Sequence, residues 1–320
     1  MKEKILVTHK LFGKYLDKLR EDYSVVEGGL EKIGGCAGVI SMLGNKVDRK
    51  VMDVAGEKLR VIGNFAVGFD NIDVGEASSR GIVVLNTPGV LTEAVAEHVM
   101  ALTLTVARRI VEGDAFVRAG KYKGFEPDLL IGTGIRGKVM GVVGLGRIGR
   151  WVGRMALGMG MEVIYYSPHE EDEYQLETGA KRRGLHNLLA AADVISINVP
   201  LTEDTRGMIG KEQFDLMKRT AVLINTARGA VVDEGAMIAA LKSKRIVGAG
   251  LDVYTNESEV NEELVKLTNV VLTPHIASAT IEARMLMSKL VVEGVIGALN
   301  GKCPENIVNK DVWEKRRLSK

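Results

Sequence analysis

Cysteine is nearly absent. The 320-residue chain holds two, Cys36 and Cys303, far apart and in no C-x-x-C. That argues against a disulfide framework and a thiolate metal site; no metal is expected, and a reducing, cytosolic setting fits. An excess of one charge is also missing. Formal net charge is +2, with both signs spread along the chain, which removes the electrostatic case for nucleic acid as a partner. Long apolar runs are lacking too. No stretch approaches the roughly 18 apolar residues of a membrane helix. In the opening MKEKILVTHK the apolar stretch 5–7 is too short for a signal-peptide core. The expectation is a soluble, untargeted cytoplasmic protein. Low-complexity tracts and short repeats of about 20–50 residues are absent as well.

What is present is apolar material, 46% of the residues, in a length that suits two domains. Short apolar runs at 5–7, 25–26, 38–40, 61–63 and 82–85 alternate with helical spacing such as Leu11, Tyr15, Leu16 and Leu19. This is the alternation of a parallel sheet covered on both faces. The turn NTPGV closes the block. A helix then starts at Thr92, read as its N-cap. The spacing of Val95, Val99, Leu102, Val106 and Ile110 carries it toward Gly120, long enough to join two domains. Residues 122–137 read as loop. A second alternation follows, with strands at 139–143, 162–166, 194–199, 221–224, 248–253 and 270–272 and helical segments at 216–218 and 236–241. Six strands with crossovers make a doubly wound nucleotide domain. A last helix at 281–299 returns the chain to the first domain.

The stretch VVGLGRIGR sits where the first of those strands turns into a helix. Gly144 permits the tight turn, Gly146 lets backbone approach a pyrophosphate, and Gly149 lets helix and strand pack closely. The helix N-terminus offers free N–H groups and a positive dipole end to phosphates. The next strand ends in Ser167, where a carboxylate for the ribose 2′-hydroxyl is expected. The acidic run 170–173 follows, and Lys181, Arg182 and Arg183 come later. Both NAD and NADP stay open, with a lean to NAD.

Three polar residues follow three later strands: Arg228 after LINTA, Glu257 after LDVYTN and His275 after VLTP. Ligands of open α/β sheets bind outside the carboxyl ends of the strands, so all three are candidates for one crevice. Their types suit reduction of a 2-keto acid. The imidazole is an acid/base near neutral pH. A carboxylate on its other nitrogen fixes the tautomer and favours the protonated form. A guanidinium holds a carboxylate and polarises a carbonyl. His9, His98, His169 and His186 lack that context; His98 reads as structural or solvent-facing.

At this point the chain resembles the D-isomer-specific 2-hydroxyacid dehydrogenases. The resemblance rests on GKVMGVVGLGRIGR, NVPLTEDTRGMIG, LINTARGAVVDEGAM, GAGLDVYTNE and LTPHIAS, with AVGFDNID and NTPGVLTEAVAEH in the first block. The form is nearest the glyoxylate/hydroxypyruvate reductase branch. The resemblance implies an α/β fold of two doubly wound parallel-sheet domains, with a Rossmann cofactor domain at 98–287 inserted into a flavodoxin-like substrate domain at 1–97 and 288–320. It implies Arg228, Glu257 and His275 as the catalytic set. It puts the backbone of Val67 and Gly68 on the substrate carboxylate beside Arg228, and Leu43 on the wall of a small pocket. Arg147 and Ile148, with Gly144, Gly146 and Gly149, would cover the pyrophosphate. Ser167, Val199, Pro200 and Thr205 would line the adenosine and ribose, and Thr92, Thr226 and Asp252 the nicotinamide. A homodimer is implied as well. The chain departs from the family at Ser258, where proline often follows the glutamate, at Ser167, where aspartate is common, and at Phe125, where the reductase branch often has tryptophan.

Two other functions fit parts of this pattern. A phosphoglycerate dehydrogenase would want several basic side chains about the pocket; FAVGFDNID has none, although Arg60 is nearby in sequence. A non-catalytic, dinucleotide-sensing interaction protein, like the corepressors that share this fold, would not need all three catalytic groups.

Overall fold

The computed structural model describes residues 2–318. The chain forms two compact units, residues 1–91 with 279–320 and residues 92–278. The divisions fall before the 97/98 and 287/288 expected from the sequence. Both expected cuts lie inside helices, Thr92–Ala107 and Ile281–Leu299. A hydrogen-bonded helix stays whole with the core its apolar face covers.

In the first unit, β1 (Lys4–Val7), β2 (Ser24–Glu27), β3 (Gly38–Ser41), β4 (Val61–Asn64) and β5 (Val83–Leu85) form a parallel sheet in the order β2-β1-β3-β4-β5. The strands β3 to β5 are buried throughout, as a sheet covered on both faces requires. One face packs Leu6, Val39, Ile62 and Val84 against Ile33, Met52, Leu59 and Ile82. The helix Ile281–Leu299 crosses the sheet so closely that a Cβ on Gly63 would stand 2.7 Å from Val291 Cγ2.

The second unit has seven parallel strands, one more than the sequence indicated. They are β6 (Val139–Val143), β7 (Glu162–Tyr166), β8 (Lys181–Arg182), β9 (Val194–Ile197), β10 (Val222–Asn225), β11 (Gly248–Leu251) and β12 (Val270–Leu272), in the order β12-β11-β10-β9-β6-β7-β8. The unforeseen β8 is a two-residue charged edge strand. Its pairing with Ile164 and Tyr165 depends on the neighbouring strand, not on an apolar pattern of its own. The strand order reverses between β6 and β9, the topological switch point at which such sheets take their ligands.

Two helical expectations are corrected. Residues 92–120 form two helices, Thr92–Ala107 and Ile110–Arg118, because Arg109 adopts φ +53°. A left-handed residue ends an α-helix. The apolar spacing continues past the break, but Ile110, Val111 and Val117 face outward, each more than half exposed. Thr92 is the first helical residue and is buried. Residues 216–218 are not a helix of their own: the helix is Lys211–Leu216, and Met217 turns extended. No helix among the described residues is long and apolar enough to cross a membrane.

Candidate active site

The turn after β6 has the tight turn read at Gly144 and the close helix–strand packing read at Gly149. Gly144 adopts φ +96°, and a Cβ there would stand 2.8 Å from the carbonyl of Asn198. Gly146 precedes the helix Arg147–Gly158, and the place a Cβ would take has no neighbour within 4 Å. At Gly149 a Cβ would sit 2.1 Å from the Gly144 carbonyl oxygen. The helix therefore starts against the strand end, with Arg147 and Ile148 in its first turn. A cradle of free backbone with an open approach fits the pyrophosphate of a dinucleotide. Gly149→Ala is expected to abolish measurable NADH binding by fluorescence titration. The clash is with fixed backbone, so the helix must shift. Undiminished binding would contradict this placement.

Across the switch point, Asn198 N donates to Val143 O at 2.7 Å, which brings Val199 and Pro200 beside the glycine turn. Thr205 folds that segment back, donating from Oγ1 to Pro200 O at 2.6 Å. Ser167 is buried at the end of β7. The unforeseen β8 puts Arg182 against it: Nε donates to Ser167 O at 3.0 Å and Nη2 to Pro168 O at 2.8 Å. Glu170 lies 3.7 Å from the same guanidinium, and Glu171 pairs with Arg150.

The strands β10, β11 and β12 are adjacent and parallel, so their carboxyl ends share one edge. Beyond β10, the buried Asn225 shapes the turn: its Oδ1 accepts from Ala227 N at 3.0 Å and its Nδ2 donates to Arg228 O at 2.9 Å. Thr226 and Arg228 ride on this turn, and Arg228 Nη1 donates to Ala227 O at 2.7 Å. Gly229 then crosses the segment after β11 so tightly that a Cβ would lie 2.0 Å from the Tyr254 carbonyl carbon. The turn with Arg228 and the loop leading to Glu257 are thus packed backbone to backbone. Glu257 reaches the loop after β12: its Oε2 is 2.8 Å from His275 Nδ1. A carboxylate only accepts, so Nδ1 carries the proton and Nε2 is left for a reactant.

His275 itself has φ +53°, a conformation that costs a non-glycine residue of order 1–3 kcal/mol and persists only where neighbours impose it. Asp252, fully buried after β11, imposes it. Its carboxylate accepts from Thr273 Oγ1 at 2.6 Å, Ile276 N at 2.9 Å and Ala277 N at 2.8 Å, on both sides of the histidine. His98 Nε2 lies 3.1 Å from Thr273 Oγ1 and 3.5 Å from Asp252 Oδ1. Burial opposes ionisation of Asp252. The hydrogen bonds from His98, Thr273 and the two amides outweigh it and hold the carboxyl below its ordinary range. Tyr254 closes the cluster, donating to Thr273 O at 2.9 Å, and burial with the nearby Asp252 charge pushes its phenol up to about 12.

Sequence reading had passed over Asn225, Tyr254 and Thr273 and had set His98 aside. No local pattern marks them. The available signal was that three of them lie within a few residues of Arg228, Glu257 or His275.

In the first unit, Leu43 lies on the loop after β3, and Val67 and Gly68 lie on the loop after β4, all partly exposed. Arg60, the basic residue nearest that loop in sequence, is buried and paired with Glu3. Its guanidinium is thus already engaged by a carboxylate.

Residues 100–277 match the model of the D-isomer specific 2-hydroxyacid dehydrogenase NAD-binding domain. The chain is 47% identical to a glyoxylate reductase from Thermococcus litoralis over 98% of each protein. Among solved structures, the TT0316 protein from Thermus thermophilus matches with TM-score 0.89 and 41% identity, covering 95% of this chain and 99% of that one. An NADPH-dependent glyoxylate/hydroxypyruvate reductase from Sinorhizobium meliloti, solved with NADP and malonate, matches with TM-score 0.89 and 31% identity over the whole of both chains.

Proposed function

The chain belongs to the D-isomer specific 2-hydroxyacid dehydrogenases, and from that premise we propose that it reduces glyoxylate or hydroxypyruvate to the 2-hydroxy acid with a nicotinamide cofactor. One observation carries the chemistry most directly: the 2.8 Å pairing of His275 Nδ1 with Glu257, next to the Arg228 turn, in the unit that holds the glycine cradle. The reduced dinucleotide, when bound, supplies the hydride to the carbonyl carbon. His275 Nε2 gives the proton to the carbonyl oxygen, and Glu257 stabilises the cation while the proton is held. Arg228 holds the anionic substrate and polarises the carbonyl as charge develops on oxygen. Thr92 and Thr226 border the nicotinamide, while Asp252, expected there as well, is fully buried and acts through the loop that carries His275 instead; Val199, Pro200, Thr205 and Ser167 border the adenosine side. The amides of Val67 and Gly68 take the substrate carboxylate, and Leu43 limits the space beyond it.

NADH is the proposed coenzyme. Arg182 spends two of its donors on the backbone of Ser167 and Pro168 and faces Glu170, within an acidic run that repels a 2′-phosphate. The same reading makes the protein a cytoplasmic homodimer. Ile110, Val111, Val117, Tyr122, Phe125 and Ile131 are all more than half exposed within one short stretch of sequence, and exposed apolar side chains concentrated in this way support a subunit contact there.

The test is coenzyme oxidation at 340 nm with glyoxylate, hydroxypyruvate and phosphohydroxypyruvate. Turnover of the first two is expected, with kcat/KM for NADH above that for NADPH by about tenfold or more, the equivalent of ~1.4 kcal/mol. Tight coenzyme binding without turnover of any of them would reverse the reading.

A further inference from the structure

We propose that the side-chain amide of Asn86, backed by Asn64, is a positioning element that turns the loop after β4 into an anion cradle. The inference rests on the reading that Val67 and Gly68 take the substrate carboxylate. It adds what aims their N–H groups.

Three consecutive carbonyls of this loop are tied into the first unit. Ala66 O accepts from Thr87 N at 2.8 Å. Val67 O accepts from Asn86 Nδ2 at 2.8 Å. Gly68 O accepts from Asn64 Nδ2 at 2.7 Å. In a trans peptide the C=O and the following N–H point in opposite directions. The first two anchors come from one segment, residues 86–87. The N–H groups of Val67 and Gly68 therefore both leave on the side away from it, and the Asn64 tie fixes the next peptide. Among the described residues these two amides donate to no protein acceptor. Successive backbone N–H groups turned the same way form a concavity that binds anions.

The anchors are themselves held. Asn86 N donates to Asn306 O at 3.2 Å, and Asn306 Nδ2 donates to Asn86 O at 2.7 Å. Gly294, on the helix Ile281–Leu299, leaves the room Asn306 needs, since a Cβ there would stand 2.8 Å from its Oδ1. Asn64, fully buried, exchanges amide hydrogen bonds with Asn71 at 3.1 and 3.2 Å. Asn71 Nδ2 also reaches Met42 O at 3.2 Å and Asn45 O at 3.0 Å, on the loop that bears Leu43. One carboxamide lattice thus ties both proposed substrate loops together. Asparagine suits the task because it donates without charge. A lysine would add a counter-charge of its own, and an aspartate would repel both the carbonyl it faces and the substrate.

The experiment compares Asn86→Ala, the isosteric Asn86→Asp and Gly68→Pro, which deletes one cradle N–H. Each is assayed for glyoxylate KM, kcat, NADH dissociation constant and melting temperature. Asn86→Ala is expected to raise KM about tenfold, as for loss of one well-aimed hydrogen bond to a charged group, with kcat and NADH affinity little changed. Asn86→Asp, which keeps the shape, is expected to raise KM further, and it serves as the test should the alanine variant fail to fold. If Gly68→Pro raises KM while folded Asn86 variants do not, the positioning role is overturned and the cradle stands. If neither does, the loop does not take the carboxylate and both readings fall. Loss of kcat and NADH affinity with unchanged KM would make Asn86 merely structural and likewise overturn the proposal.

Discussion

Replacing His275 by alanine is expected to lower kcat for glyoxylate reduction by about 10²–10⁴-fold, the usual worth of a positioned general acid, with NADH affinity intact. The asymmetry follows from the placement. The glycine turn lies at the β6–β9 switch point, while His275 lies on the loop after β12, at the far edge of the same sheet. On the proposed reading, deleting the imidazole removes the proton donor and leaves the cradle untouched. Glu257→Gln should cost less: a glutamine oxygen can still accept from Nδ1, but without the negative charge that stabilises the imidazolium. Single-turnover kinetics at saturating NADH isolates the chemical step. A His275→Ala enzyme with near-wild-type turnover would remove the histidine from the mechanism.

The second large effect belongs to Asp252. Asp252→Ala is expected to cost roughly 3 kcal/mol or more of stability, because the Ile276 and Ala277 amides and the Thr273 hydroxyl lose their common acceptor. A buried unsatisfied donor costs about 1–3 kcal/mol, and total stability is only about 5–15 kcal/mol. Activity should fall as well, since Asp252 anchors the segment on both sides of His275, which sits at φ +53°.

The pH dependence has a definite sign. The folded carboxyl is held below its ordinary range, so its contribution is fully present above the unfolded value of about 3.9. It is lost as pH falls through the lower folded value. The stability gap between wild type and Asp252→Asn, measured by denaturant unfolding, is expected to be constant from neutral pH to about pH 5 and to shrink below that. A gap that widens in acid would contradict the assignment.

How much of this was legible in the residues depended on the range of the physics involved. Gly144 and Gly149 could be read because their demands are local: a positive φ, and a helix starting on a strand end. Arg228, Glu257 and His275 could be nominated because parallel strands put their carboxyl ends on one edge. The helix 281–299 was read at its observed bounds because its apolar spacing matches the face it buries. The helix after Thr92 was overrun at Arg109 because apolar spacing continues onto a surface this unit leaves exposed. The strand β8 was missed because two charged residues carry no periodicity.

The sequence by itself determined the doubly wound architecture, the place of the glycine turn and the residue types available for hydride chemistry, all of which follow from local periodicity and backbone stereochemistry. Only the tertiary structure decided that Glu257 meets His275, that Asp252 and His98 fasten the loop beneath it, and that the Thr87 amide with the side chains of Asn86 and Asn64 ties three successive carbonyls. These are contacts between segments distant in sequence. Their geometry depends on side-chain packing that composition and spacing do not encode.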